Sequence, residues 1–237
     1  MSETFQGFRP EAFQFLVDLA ANNERSWFQP RKAEYERWLK QPLEALCVAL
    51  RDEFARRKLA MRADPVKSPF RIYRDVRFSR DKSPYKTNLG ASFPWLGADD
   101  DESAGQRHGG GYFHLAPEES FVGGGVWHPE PAWLAAWRRL VDQDPERVHA
   151  ALDERRFRKA FPGGVLSDHD RLTRVPRGFA ADHPDADLLK LRNVGFGRVL
   201  TPEEVGSPDL PRLLTDAFAA ATPVFTLLTN VNVPPPS

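Results

Sequence analysis

At Pro65 the spacing of apolar residues changes, and no other feature limits the fold as much. Upstream of it, apolar side chains recur every three or four residues, the period of a helix with one buried face. Phe13, Leu16, Val17 and Ala20 follow Pro10, so residues 10–22 read as an amphipathic helix opening on a proline. Asn22-Asn23 supplies an end and a fresh cap. Trp27-Phe28 fits a short helical turn before Pro30, and Tyr35, Trp38 and Leu39 fit a second helix. Pro42 predicts a restart or a kink, because a proline inside a helix removes a donor and crowds the preceding turn. Leu43, Leu46, Cys47, Leu50 and Phe54 then make one apolar stripe. It ends at Arg56-Arg57-Lys58, where positive charge suits the negative end of the helix dipole.

Downstream, Ile72, Tyr73, Val76 and Phe78 are β-branched or aromatic and favour extended chain. Leu89–Leu96 reads as another strand, followed by a solvated acidic loop from Ala98 to Gly105. Tyr112–Leu115 and Phe121–Trp127 read as paired strands joined by Ala116–Ser120. Helical spacing returns at Trp133, Leu134, Trp137, Leu140 and Val141. Asp144-Pro145-Glu146 then caps a helix carrying Val148 and Leu152. Phe157 and Phe161 follow at helical spacing, before Pro162-Gly-Gly164 ends the run. Arg171–Val175 and Lys190–Leu200 read as extended, with a helical turn at Asp185–Leu189 between them. Thr201-Pro-Glu-Glu204 is a capping-box pattern, and Ser207-Pro208 opens a last helix through Leu210, Leu213, Leu214, Ala217 and Phe218. This order is not the strict alternation of a doubly wound sheet. It predicts an α+β fold, with a mixed or largely antiparallel central sheet and N-terminal, middle and C-terminal helices packed on it.

The chain has 237 residues and no low-complexity linker, which predicts one domain over 1–232 and a disordered proline-rich tail over 233–237. Its 33 basic and 33 acidic residues cancel. A general nucleic-acid binder carries a basic excess, so any such role would rest on a local patch. A single cysteine, Cys47, allows neither an intrachain disulfide nor a multi-cysteine zinc site; within an apolar stripe it reads as a buried thiol. The N-terminal residues lack the pattern of a signal peptide, and Ala217–Ser237, though uncharged, is broken by Pro223 and by Thr and Asn residues. No membrane association and a cytoplasmic location are expected. Phosphate-loop, dinucleotide-binding and His-Glu-x-x-His patterns are absent, and the six histidines are scattered, so neither a cofactor nor a metal is expected. Nothing in the pattern fixes an oligomeric state.

Positive charge nevertheless concentrates between Val66 and Thr87, in VKSPFRIYRDVRFSRDKSPYKT, and Lys-Ser-Pro-aromatic-basic occurs at Lys67–Arg71 and again at Lys82–Lys86. If 71–78 is a strand, Ile72, Arg74, Val76 and Phe78 share one face and Arg71, Tyr73, Asp75 and Arg77 the other. A guanidinium between apolar neighbours must be paired, either with a protein carboxylate or with a ligand anion. Asp75 is spaced to pair with Arg77 or to transfer protons, and Lys82 and Lys86 flank a Ser-Pro-Tyr turn. Elsewhere, the glycine run Gly123–Gly125 allows a bulge, close packing or a ligand against bare backbone. Arg174, in an extended run, can complete a pocket or serve structure. His114 and Tyr112 would share a strand face.

The segments FLVDLAANNERSWFQPRKAEYE, RDVRFSRDKSPYKTN, GGGYFHLAPEESFVGGGVWHPEP and RVPRGFAADHPDADLLKLRNVGF together resemble a family catalogued as domain of unknown function 2461. The resemblance covers nearly the whole chain and implies a single domain. It matches Arg74, Asp75, Arg77, Phe78, Asp81, Lys82, Pro84, Tyr85 and Lys86 to the family signature and brings no activity with it. The acidic run Asp99–Glu102 stands outside that pattern.

The leading expectation is a basic pocket for a small phosphate- or carboxylate-bearing ligand, whether or not the protein is an enzyme. Arg74, Arg77 and Lys86 would bind the anion with help from Lys82, with Gly124 and Arg174 as further ligand contacts. Asp75 or Tyr85 would handle protons. The alternatives are a nucleic-acid module that stacks bases on Tyr73, Phe78 and Tyr85, and a protein-interaction module using exposed tryptophans.

Overall fold

The computed structural model describes residues 4–77, 79–96, 109–166 and 170–231. Phe78, the acidic loop at 98–105, Asp168-His169 and the proline-rich tail lie outside them. The fold is α+β. Five strands, β1 (Leu89–Pro94), β2 (Gly110–Leu115), β3 (Ser120–Val126), β4 (Val165–Leu166) and β5 (Val194–Leu200), form one sheet in the order β1-β2-β3-β5-β4. The expected hairpin of β2 and β3 is present, and β4 pairs antiparallel with β5. None of the described helices is long and apolar enough to cross a membrane.

The described residues fall into two compact units. The first comprises those up to Phe93 with Tyr112–Val122 and Val199–Asp216. Here α1 (Pro10–Ala21) buries Ala12, Phe15, Leu16 and Leu19. The chain then stays helical from α2 (Arg25–Phe28) through α3 (Lys32–Tyr35) to α4 (Gln41–Arg57). Pro42 lies in the first turn of α4, the restart expected of it, and the helical run is continuous through it. A wide turn over Glu36–Lys40 precedes the proline, and Gln41 N–H donates to the Glu36 carbonyl five residues back. One extra residue per turn is how a helix absorbs a group that clashes with the preceding turn. Beyond it α4 buries Leu43, Leu46, Cys47, Leu50 and Phe54, each leucine contributing about 1.5–3 kcal/mol of burial. Burial pushes the Cys47 thiol up to about 12, with Asp64 and Glu44 adding to it, so it is a packing residue. Phe54 packs edge-on to Phe93 of β1, and Phe8 stacks on Phe113 of β2.

The second unit comprises Gly123–Arg198, the described residues from Ala217 onward, and those of Pro94–Gly111. Its helices are α5 (Pro131–Gln143), α6 (Pro145–Leu152), α7 (Arg155–Ala160), the short α8 (Ala186–Leu189) and α11 (Thr222–Thr229). Phe157, Phe161 and Phe225 all pack on Phe196 of β5, at 4.7–5.5 Å between ring centres. Asp144 caps α6 as expected. In the first unit Thr201 and Glu204 close a capping box on α9 (Pro202–Gly206).

Two sequence expectations are corrected. Helix α10 (Leu210–Ala220) is followed by α11, in a segment whose proline looked disruptive; Pro223 sits in the first turn, where its missing N–H is not needed. Arg171–Val175 is no strand, since only Arg171 bridges, to Leu191.

Candidate functional site

The basic stretch is not the strand that its β-branched residues suggested. Between Arg57 and Leu89 the described residues form no helix or strand, and isolated bridges pair Pro69 with Ala91 and Tyr73 with Tyr85. Pro69 and Pro84 cannot donate to a ladder. The side chains of Asp75 and Asp81 take the N–H groups of Arg77 and Ser83, which competes with pairing. What remains is a narrow ribbon in which Arg74 N–H donates to the Pro84 carbonyl and Lys86 N–H to that of Ile72. The alternation of faces persists without a ladder: Ile72 is buried and Arg74 and Val76 are partly buried, while Arg71, Tyr73, Asp75 and Arg77 are exposed.

The two Lys-Ser-Pro segments have different jobs. Ser68 is buried; its hydroxyl accepts from Asp64 N–H and its carbonyl from Ser92 N–H, which hooks the chain onto β1. Ser83 instead turns the chain beside a cleft of about 310 Å³, lined by Ala20, Asn23, Arg74, Asp81, Ser83, Tyr85, Lys86, Thr87 and Asn88.

One wall of the cleft is fixed by an amide. Asn23 Nδ2 donates to the Tyr85 carbonyl at 3.0 Å, and Tyr85 N–H donates to Asn23 Oδ1 at 3.0 Å, so the side chain pairs with backbone as a neighbouring strand would. The Tyr85 ring is 1 % exposed and stacks on Phe28 with ring centres 4.1 Å apart. Tyr73 leans on its edge at 5.5 Å.

The charges are apportioned as follows. Arg74 Nη1 donates to Asp81 Oδ2, while Oδ1 of the same carboxylate accepts the N–H and hydroxyl of Ser83. Those bonds, Ser83's first and then Arg74's, hold Asp81 well below the usual carboxylate range. Arg74 is therefore paired with a carboxylate, one of the two partners its position demanded. A guanidinium has five donors in a planar fork, and the bond to Asp81 uses one nitrogen of it. Lys86 has no carboxylate within ion-pair range among the described residues; its ammonium lies over the Phe70 ring at 5.2 Å. Burial lowers its pKa and the cation of Arg71 lowers it further.

Of the residues the sequence singled out, Arg74, Tyr85 and Lys86 line one cleft, and Asp75, Arg77 and Lys82 do not. Arg77 is 76 % exposed and pairs with Asp75, whose carboxyl is held low first by that bond, so Asp75 is a solvated anion. Lys82 donates to the Val76 carbonyl. Of the rings expected to stack bases, Tyr85 is buried against Phe28, Tyr73 is exposed, and Phe78 lies outside the described residues. Gly124 and Arg174 belong to the second unit. At Gly124 a Cβ would meet the Gly110 carbonyl at 2.6 Å and the Phe225 ring at 2.8 Å, so close packing fills that space. Arg174 is exposed. Sequence reasoning gives no site role to Asn23, Thr87 or Asn88 and reaches Asp81 only through the family signature; the sequence marks Asn23 as a cap and nothing more.

A second cluster begins at Phe70, over which the Lys86 ammonium lies. Tyr112 stacks on Phe70, its Oη lies 2.9 Å from His114 Nδ1, and His114 stacks on Phe121 with ring centres 4.8 Å apart. Tyr112 and His114 share a face of β2, as strand alternation required. Burial pushes the phenol up to about 12, so it stays protonated and can donate to Nδ1, the arrangement in which the ring proton sits on Nε2. Burial lowers the His114 pKa below 6.5, opposed by Glu119 and Glu118. The unfolded chain therefore binds the proton more readily, and stability falls as pH drops below the unfolded value. The urea midpoint is expected to fall between about pH 7.5 and about pH 5.5, with a smaller fall in His114→Gln. An equal fall in both proteins would remove His114 as its source.

Fold and cleft together define an α+β protein with a cationic surface cleft held against the end of a helix. The chain belongs to the family described as conserved hypothetical protein (DUF2461), whose model matches residues 11–226. No curated protein and no solved structure matches it.

Proposed function

We propose that the cleft beside Arg74 and Lys86 binds a small anion bearing a phosphate or carboxylate group. The observation that carries this reading is Lys86, a residue of the cleft lining whose ammonium has no carboxylate in ion-pair range among the described residues. Arg71 adds positive potential beside it. An unpaired, partly desolvated cation next to a second cation favours a visiting anion, because charge–charge attraction strengthens as water is displaced. Arg74 contributes the planar fork that grips two oxygens at once, and Asp81 holds that fork in place without cancelling Lys86. Asn23, Thr87 and Asn88 supply neutral polar groups around it.

Calorimetric titration with inorganic phosphate tests this. Arg74→Ala is expected to weaken binding by roughly 10- to 100-fold, the worth of a charge-assisted hydrogen bond. Arg74→Lys is expected to restore only part of it, since an ammonium keeps the charge and loses the fork. The reading fails if phosphate, sulfate and simple carboxylates all leave the wild-type protein unbound, or if Arg74→Ala binds as well as wild type.

A further inference from the structure

We infer that the anion cleft continues across the outer sheet face into a second subsite, formed by Phe70, Tyr112, His114 and Phe121, which receives the planar apolar body of an organic anion. The inference rests on the reading of Arg74 and Lys86 as the anion end.

A sheet face turned to water is ordinarily polar. Here, within the first unit, it carries an unbroken run of contacts from the cleft outward. The Lys86 ammonium lies over Phe70 at 5.2 Å, Phe70 stacks on Tyr112 at 5.8 Å, Tyr112 bonds His114 at 2.9 Å, and His114 stacks on Phe121. Phe70 is 43 % exposed, and Tyr112, His114 and Phe121 are each half-buried, so their remaining surface is open to a ligand.

The subsite is also set in position before anything binds. Gly90 of β1 lies directly beneath the phenol, and a Cβ there would stand 2.6 Å from the Tyr112 hydroxyl. Only a bare backbone lets Tyr112 lie flat on the strand. Phe121, within 16° of parallel, fixes the plane of the imidazole, and a phenol that donates to Nδ1 places the ring proton on Nε2. His114 therefore offers Nε2–H as a neutral donor at the edge of an aromatic surface, and Glu118 and Glu119 are the charges acting on it. A ligand matching this arrangement has an anionic group for Lys86 and Arg74, an aromatic or other planar portion for the rings, and a hydrogen-bond acceptor for His114. Aryl phosphates and aromatic carboxylates are the simplest members of that class.

Phenyl phosphate and inorganic phosphate, titrated side by side, separate this inference from the one beneath it. Phenyl phosphate is expected to bind at least about tenfold more tightly, the gain of burying one ring. It alone is expected to move the imidazole nitrogen signals of His114. In Tyr112→Ala and Phe121→Ala the ratio of the two affinities should collapse toward one. If phosphate binds and phenyl phosphate binds no better, or if the ratio survives both substitutions, the subsite is overturned and the anion cleft stands. If neither ligand binds wild type, the anion cleft itself is wrong and the subsite falls with it.

Discussion

Gly125→Ala is expected to destabilise the protein by about 2–6 kcal/mol, enough to remove most of the stability of an ordinary domain. Two costs coincide at this residue. Its φ is +128°, a backbone conformation that residues with a side chain rarely adopt. A Cβ built there would also stand 2.1 Å from the Val194 carbonyl oxygen and 2.7 Å from the Gly195 Cα. Neither atom is the end of a flexible side chain, so strand β5 itself would have to move. Gly124→Ala is the informative comparison, because its φ is ordinary and part of its clash is with the Phe225 ring, which can turn. It should cost less. Urea unfolding of the two variants checks the order; Gly125→Ala within about 1 kcal/mol of wild type would mean that the strand yields where the geometry says it cannot.

Tyr85→Ala should be nearly as damaging, at about 3–5 kcal/mol, the usual cost of truncating a buried aromatic ring. The ring is buried between Phe28 and Tyr73, and its removal leaves a hole at the inner wall of the cleft. Tyr85→Phe keeps the stack, and a swap that preserves volume costs about 1.5 kcal/mol or less. The pair of variants separates packing from chemistry. A Tyr85→Phe protein as unstable as Tyr85→Ala would show that the hydroxyl, not the ring, holds this part of the fold.

The α+β class was legible because the apolar period is local information. The stripe from Leu43 to Phe54, the alternation around Phe113 and Leu115, and the caps at Asp144 and Thr201 are each decided within a few residues. What a proline does depends on the turn before it, so Pro42 reads as a restart while the helix that Pro223 opens does not show in the sequence. A wide turn absorbs the first and a helix start the second.

The site was legible in part. Charge density located the stretch that holds Arg74 and Lys86, and the rule that an arginine among apolar neighbours needs a partner anticipated a counter-ion. The strand expected over 71–78 does not form, because carboxylate-to-backbone bonds at Asp75 and Asp81 compete with the ladder, while the pairing of Asp75 with Arg77 that the spacing allowed is present. Asp81, seven residues from Arg74, was within reach of sequence reasoning. Asn23 was not, since nothing in its neighbourhood marks it as a partner for Tyr85.

That partnership has a consequence for how the protein is made. The amide of Asn23 and the backbone of Tyr85 meet across a separation of 62 residues. Closing so long a loop carries an entropic cost that must be met before the contact gives anything back, so such pairings form late. The ribbon from Ile72 to Lys86 can close through its own bonds, but the cleft wall that Asn23 holds is expected to be completed only when the end of the first helix docks on Tyr85. A chain still emerging from the ribosome, or one cut between the first helix and Pro65, would carry all the cations of the cleft and lack the cleft itself.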